Sequence, residues 1–381
     1  MKKTLLSLAA SVAGAISLLA QPTITQAPTN QVLATGETLV LNVIAIGTPP
    51  LAYQWLKDGR LMVGATNNTL TVANAGVTNS GAYSVWATNA DGMTISLPAL
   101  VAIGSPALLA WGDDASGELG NGTNRNLNQP IIVAANVVTG AAGTNFSLFV
   151  TADETLWAMG DNSHGQMGNG TTNGADLPAS VASNVVAVAA GAYHSLFVTA
   201  DGTLWSMGDN AHGQLGDGST NDAALPVSVA SNVVAVAAGA NHSLFVTADG
   251  TLWSMGYDAY GQLGDGFTTD TNLPVSVTNG VAAVAAGQDH SLFVKTDGTL
   301  WAMGRGNYGQ LGNGANGFTR SMPANVASNV VAVAAGADQS LFVTADGTPW
   351  AMGYNNDGQL GIGTTTATTN VPVKLWHLSA A

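Results

Sequence analysis

The stretch from Asn232 to Val277 reads NVVAVAAGANHSLFVTADGTLWSMGYDAYGQLGDGFTTDTNLPVSV, and it returns with few changes along the C-terminal three quarters of the chain. Trp157, Trp205, Trp253 and Trp301 stand 48 residues apart, and Trp350 follows after 49. A period of about 20 to 50 residues marks a modular array, a propeller or a solenoid. Four short runs lie in the unit: Val233–Ala238, Ser243–Thr247, Thr251–Met255 and Leu273–Val277. They are rich in Val, Leu, Phe and Trp and are separated by Gly, Asp, Asn and Pro, the strand and turn chemistry of a meandering antiparallel sheet. Four strands per unit define a propeller blade, so the expected fold class is all-β.

Composition narrows the function classes. The 381 residues, 46% hydrophobic and only 8% charged, allow two or three domains with a large core. Nine Lys and Arg face 23 Asp and Glu, a net charge of −14, so a nucleic-acid backbone would repel the chain. From Gly104 onward the fixed positive charges are Arg125, Lys295, Arg305, Arg320 and Lys374. The absence of Cys removes disulfides, thiolate nucleophiles and iron–sulfur clusters. Stability must come from packing.

The first 20 residues, MKKTLLSLAASVAGAISLLA, combine two lysines, an apolar run and a small residue before Gln21. That is the pattern of a secretory signal peptide, with no transmembrane segment expected in the mature chain and an extracellular, cell-surface or periplasmic address. Residues 22–103 do not share the repeat. They hold Trp55 between strand-like runs, a Lys57-Asp58-Gly59 turn, and Gly81-Ala82-Tyr83-Ser84-Val85 ahead of a hairpin signal, Asn89-Ala90-Asp91-Gly92. This segment resembles an immunoglobulin-like β-sandwich. The resemblance places Trp55 as the buried Trp and Tyr83 as the corner tyrosine, with Val43 and Val85 where the family has its two cysteines.

The array, residues 104–381, resembles the regulator of chromosome condensation repeat family. The motifs that carry the resemblance are Ala238-Gly239-Ala240-Asn241-His242-Ser243-Leu244, Asp249-Gly250, and Gly256 through Gly261-Gln262-Leu263-Gly264. One departure is systematic. The family's Trp before Gly is Met159, Met207, Met255, Met303 and Met352, and Trp stands two residues earlier; only Trp111-Gly112 keeps the family form. The exchange of a large aromatic and a polarizable gap filler conserves buried volume. The strand ending in Gly occurs six times but the Ala-Gly-x-x-His-Ser pair only five, so the expected β-propeller has six blades, one of them thin. Seven blades and a truncated C-terminus remain alternatives. In a closed ring the C-terminus is expected to complete the first blade.

In a four-stranded blade the 1–2 and 3–4 loops share one face and the 2–3 turn lies on the other. The 2–3 turns are nearly constant: Asp201, Asp249, Asp297 and Asp346 each precede Gly and read as turn residues. The opposite face changes from repeat to repeat. It gathers Tyr193, Tyr257, Tyr260, Arg305, Tyr308 and Tyr354, expected as anchors for a macromolecule, a protein or a glycan, with His164 and His212 as further contacts. His194, His242 and His290 share one position with Phe146 and Gln339, which marks them as hydrogen-bonded core residues rather than ligands. Gln166, Gln214, Gln262, Gln310 and Gln359 are expected to satisfy loop backbone. No catalytic residue, metal ligand or cofactor motif is expected, and Asp258, Asp289 and Asp338 read as ordinary loop acids. The expected function is an exported, non-enzymatic binding or adhesion protein. The resemblance adds a secreted enzyme inhibitor as the rival and, less fittingly, a nucleotide-exchange factor; a glycan-active enzyme would need a non-repeating acid/base constellation, for which Asp258, Asp289 and Asp338 are the best candidates.

Overall fold

The computed structural model describes residues 21–104, 106–315, 317, 319–365 and 368–375. The expected signal peptide and the tail from residue 376 lie outside these. The chain forms two compact units, one through Gly104 and one from Ser105 onward.

In the first unit, Ala52–Lys57 and Gly81–Asn89 pair antiparallel with Trp55 opposite Val85, and Ala99–Ile103 extends the sheet. Leu39–Asn42 pairs with Thr69–Val72. The inward-facing residues of these strands meet in one core of Leu39, Leu41, Val43, Trp55, Tyr83, Val85 and Val101. Val43 and Val85 are buried beside Trp55, so apolar packing fills the place of a disulfide, without the ~2–4 kcal/mol of unfolded-state constraint that a bridge contributes. The two polar atoms carried into this core are satisfied: Trp55 Nε1 donates to Asn67 O (2.8 Å) and Tyr83 Oη donates to Asn79 O (2.7 Å). Burial, with Asp58 adding to it, pushes the Tyr83 phenol up to about 12.

Among the described residues the second unit is six sheets in series. Blade I has two strands, Ala107–Gly112 and Leu127–Ala135. Blades II to VI have four each, hydrogen-bonded in chain order. Blade IV, for example, is Val233–Ala238, His242–Thr247, Leu252–Gly256 and Thr271–Thr278. Blade VI ends with Thr368–Lys374 paired to Pro349–Tyr354. Val373 pairs with Ala351 in its own sheet, and the tail after it, which is expected to complete blade I, lies outside the described residues from residue 376 onward.

Turn chemistry follows the sequence. Gly202, Gly250, Gly298 and Gly347 sit at φ near +80° (80, 81, 79 and 80°), and the preceding Asp folds over the turn. Asp201 Oδ1 accepts from Thr199 Oγ1 (2.7 Å) and from the Thr203 amide (3.0 Å). These hydrogen bonds hold the carboxyls of Asp201 and its counterparts below the ordinary range.

Each joint between blades is assembled from fixed parts. Leu and Val of one blade's middle strands pack on Phe and Met of the next: Leu196, Val198 and Leu204 share a cluster with Phe245 and Met255. The displaced Trp stacks on that Phe within its own sheet, as Trp205 does on Phe197 (6.2 Å, 12°), and stays partly exposed while the Met is fully buried. The Met lies against the last glycine of the preceding Gly-Gln-Leu-Gly loop. A Cβ on Gly120, Gly168, Gly216, Gly264 or Gly312 would land on the Sδ of Met159, Met207, Met255, Met303 or Met352.

A buried polar chain crosses the same joints. His194 Nε2 lies 2.9 Å from Ser243 Oγ, which donates to Gln214 O (2.8 Å); the pattern recurs at His242–Ser291–Gln262 and His290–Ser340–Gln310. The serine's single proton goes to the glutamine carbonyl, so the imidazole is the Nε2–H tautomer. Its Nδ1 is buried without a partner in all three. Burial alone depresses His194 and His290 to about 4; His242, flanked by both, falls to about 3.

Candidate functional site

The variable face is formed by the 3–4 loops, each a Gly-punctuated turn whose second residue is buried beneath it. In blades II, III and VI that residue is Asn162, Asn210 or Asn355. Its Oδ1 accepts from the backbone N–H of Met167, Leu215 or Leu360, and its Nδ2 donates to the carbonyl of Thr171, Ser219 or Thr364. The glutamine of the following Gly-Gln pair does what its constancy implied. Its Oε1 accepts the backbone N–H two residues earlier, from His164, His212, Tyr260, Tyr308 and Asp357. With the loop backbone satisfied internally, the residue before each Gly-Gln is free to carry any side chain.

Six of the eight expected contact residues form one continuous ladder across blades III to VI. His212 packs edge-on to Tyr257 (4.7 Å), and Tyr257 to Tyr260 (6.1 Å). The Arg305 guanidinium lies over Tyr260 (5.3 Å) and Tyr308 (5.4 Å), and Tyr308 meets Tyr354 at 5.1 Å. All six are partly exposed. His164 and Tyr193 form a separate pair (5.3 Å). Arg305 is thereby held rather than loose: Nη1 also reaches Asp289 Oδ2 at 3.3 Å. Arg305 is thus a fixed plate between two rings. The histidines are pinned likewise, His164 Nδ1 to Asp222 (2.9 Å) and His212 Nδ1 to Asp270 (2.7 Å). His164, Asp209 and Asp222 bring three ligand-type atoms within 4.8 Å, but the same His–Asp contact recurs at His212, where Tyr257 replaces the second acid, and ties the loops of adjacent blades together.

The reading of Asp258, Asp289 and Asp338 as ordinary loop acids is corrected. Asp258 occupies the buried Asn position, with Oδ1 accepting from Leu263 (2.8 Å) and Oδ2 without a partner. Desolvation raises its pKa to about 7. Asp289 is buried beneath Arg305, and Asp338 accepts from Gln310 Nε2 (3.2 Å) while burial raises its pKa. They support the ladder from below. The signal in the sequence was the alignment of Asp258 with Asn162, Asn210 and Asn355; the partners Asp222 and Asp270, 58 residues from their histidines, carried no local signal.

Short-stranded antiparallel sheets packed in series by middle-strand joints, with loops gathered on one rim, define a β-propeller of the binding type. The chain matches the RCC1-like domain over residues 96–316 and the regulator of chromosome condensation (RCC1) repeat over 297–343 and 346–380; residues 21–89 match an immunoglobulin domain. It belongs to the RCC1-like family. Among solved structures, human WBSCR16 is 27% identical, with a TM-score of 0.61 over 70% of this chain and 77% of that one. Yeast RCC1 (Prp20), solved with Kap60, is 23% identical, with a TM-score of 0.63 over 71% and 72%. Prp20p of Saccharomyces cerevisiae, described with its binding to Gsp1p and histones, is 20% identical, with a TM-score of 0.62 over 87% of both chains. A comparison with curated proteins returned no match. Among the described residues no helix is long and apolar enough to cross a membrane.

Proposed function

We propose that this chain is an exported, non-enzymatic binding protein whose propeller takes a protein partner on the 3–4 loop rim, with the immunoglobulin-like unit as a second module. The observation that carries the reading is the ladder from His212 to Tyr354. Five rings and one guanidinium from four blades are pre-positioned in contact with one another, so little side-chain entropy is lost when a partner covers them. Tyr and Arg in this setting are the residue types that dominate interface energetics. The protein partners named for the yeast relatives support a protein-binding reading of this fold, and the net charge of −14 favours a partner with a basic surface. The export signal rests on residues 1–20, and an address outside the cytoplasm favours an extracellular or periplasmic partner.

The test is capture from the native extracellular milieu on the immobilised full chain, wild type against a Tyr260→Ser, Tyr308→Ser double variant. The expected result is a partner retained by the wild type and reduced about tenfold or more by the double variant, with Tm lowered by no more than about 4 °C. Equal capture by both proteins would overturn the assignment. A captured enzyme whose activity falls on binding would sharpen it to an inhibitor.

A further inference from the structure

On the constant face, each blade from II to VI pairs a Trp with the Asp of its 2–3 turn, and in blade V the chain itself fills the space between them. The residue before that turn is Lys295, whose ammonium lies over the Trp301 ring at 5.2 Å. Hydrogen bonds from Thr299 hold the Asp297 carboxyl below the ordinary range, and Lys295 adds to this. In blade VI Lys374 likewise adds to the Thr344 hydrogen bonds that lower Asp346. An aromatic face and a carboxylate thus meet around a cation on an aliphatic stem.

Blades III and IV keep the ring and the acid without the cation. Thr199 and Thr247 stand where blade V has Lys295. Trp205 and Trp253 are partly exposed and held in place, each near-parallel to a Phe (12° and 9°) with Nε1 donating to that Thr (3.3 Å). Asp201 and Asp249 are exposed; Oδ1 of each takes both turn hydrogen bonds, and Oδ2 has no partner among the described residues. No cation contributes to the lowering of either carboxyl. Blade II differs in crossover and turn, with Ala135 and Glu154 in place of serine and glycine.

There is room for a ligand. Trp205 and Asp201 border an open cleft of about 650 Å³, within the ~300–1,000 Å³ of small-molecule sites. Leu225 and Pro226 give it an apolar wall. Ser183 and Asn184, from the crossover out of blade II, add polar side chains that make no hydrogen bond among the described residues. Blade IV repeats these four as Leu273, Pro274, Ser231 and Asn232. The apolar wall suits a four-carbon stem, and the ring and carboxylate suit its ammonium. An anionic ligand would instead face the free carboxylate and a net charge of −14.

We infer that the clefts of blades III and IV each take a lysine side chain from a basic segment of a partner. Trp205 with Asp201, and Trp253 with Asp249, receive the ammonium that Lys295 supplies to Trp301 and Asp297. This site does not depend on the rim ladder.

Calorimetric titration of the full chain with a pentalysine peptide, in about 0.15 M salt to screen unspecific attraction, tests it. The wild type is expected to bind. Thr199→Lys combined with Thr247→Lys copies blade V, fills both clefts from within, and should weaken binding about tenfold or more. Thr220→Lys combined with Thr268→Lys adds the same charge at exposed positions of the 3–4 loops and should weaken it less than about threefold. If the first pair fails to fold by circular dichroism, Trp205→Leu combined with Trp253→Leu leaves every charge in place and should still cost about fivefold. A wild type that does not bind the peptide overturns the inference, as do equal losses in the two lysine pairs or undiminished binding in the tryptophan pair. A wild type that ignores the peptide but binds cellohexaose overturns it too, and gives the clefts to a neutral sugar.

Discussion

The joints between blades and the rim above them come from the same 48-residue unit, yet the joint is copied five times and no two rim loops are alike. At a joint, Gly216, Met255, Ser243 and Gln214 are each pinned by a neighbouring blade, and a change in any one is felt by backbone or buried polar atoms. On the rim, the loop backbone is satisfied from within by one Asn and one Gln, so the exposed tip is released to be His, Tyr or Asp. Constancy thus marks contact with a neighbour's backbone, and variation marks side chains that face solvent or one another. The contrast can be broken at two kinds of place: where a joint residue titrates, and where a rim loop has lost its internal support.

The largest effect is expected at the joints in acid. His194, His242 and His290 titrate at about 4, 3 and 4 in the fold, against an ordinary 6.5 in the unfolded chain. Above pH 6.5 both states are neutral and stability does not depend on them. As pH falls from 6.5 toward 4, the unfolded chain takes up protons that the fold refuses, so stability is lost by up to ~1.4 kcal/mol per pH unit for each fully engaged group. Protonation would also place an N–H at each buried, unpartnered Nδ1. Urea midpoints measured from pH 8 to pH 4 should show this limb. His242→Gln, which copies Gln339 of blade VI, should flatten it slightly more than either flanking substitution, because His194 and His290 add to burial in depressing His242. An acid limb of undiminished slope would mean that carboxylates, not these imidazoles, govern it.

The periodicity and turn residues were enough to read the blades, their strands within a residue or two, and the immunoglobulin-like core of Trp55 and Tyr83. These features are written in local alternation and in single residues whose chemistry allows few other uses. The ladder was legible as a set of residues on one face but not as a contact chain, because Tyr260 and Arg305 meet only after two blades have stacked. A strand's apolar pattern says that it pairs, and only the register shows with which neighbour. Asp258 reads in the sequence as an ordinary loop acid because Asp and Asn serve alike in a turn; burial separates them, since one can donate a hydrogen bond when neutral and the other loses that ability when ionised.

That difference gives the next effect in size, on the rim. Asp258 titrates near 7 rather than 3.8, so its contribution is fully present below pH 3.8 and is lost as pH rises through 7. Asp258→Asn supplies the donor used at Asn162, Asn210 and Asn355 and removes the titration. The variant should be more stable than wild type by about 1–2 kcal/mol at pH 8, with the gap closing toward pH 4. Thermal unfolding at the two pH values measures it. A gap that does not depend on pH would place the titrating group elsewhere and leave this loop supported differently from its siblings.

The smallest effect tests the constant face. In blade II the turn reads Ala152-Asp153-Glu154-Thr155, and Glu154 occupies the left-handed position (φ +62°) that glycine holds in blades III to VI. The surrounding hydrogen bonds are otherwise those of its siblings: Thr151 Oγ1 donates to Asp153 Oδ1 (2.6 Å) and the Glu154 amide to Thr151 O (2.8 Å). A side chain in this conformation costs about 1 kcal/mol. Glycine removes that cost but widens the unfolded ensemble, so Glu154→Gly should stabilise by only about 0.5 kcal/mol. Gly202→Glu in blade III should lose at least as much, because its would-be Cβ also approaches the Asn232 backbone at 3.3 Å, a contact absent from an open turn. If the two substitutions shift Tm in the same direction, the constancy of this face comes from something other than backbone conformation, and the division between a constrained face and a free rim fails at its simplest point.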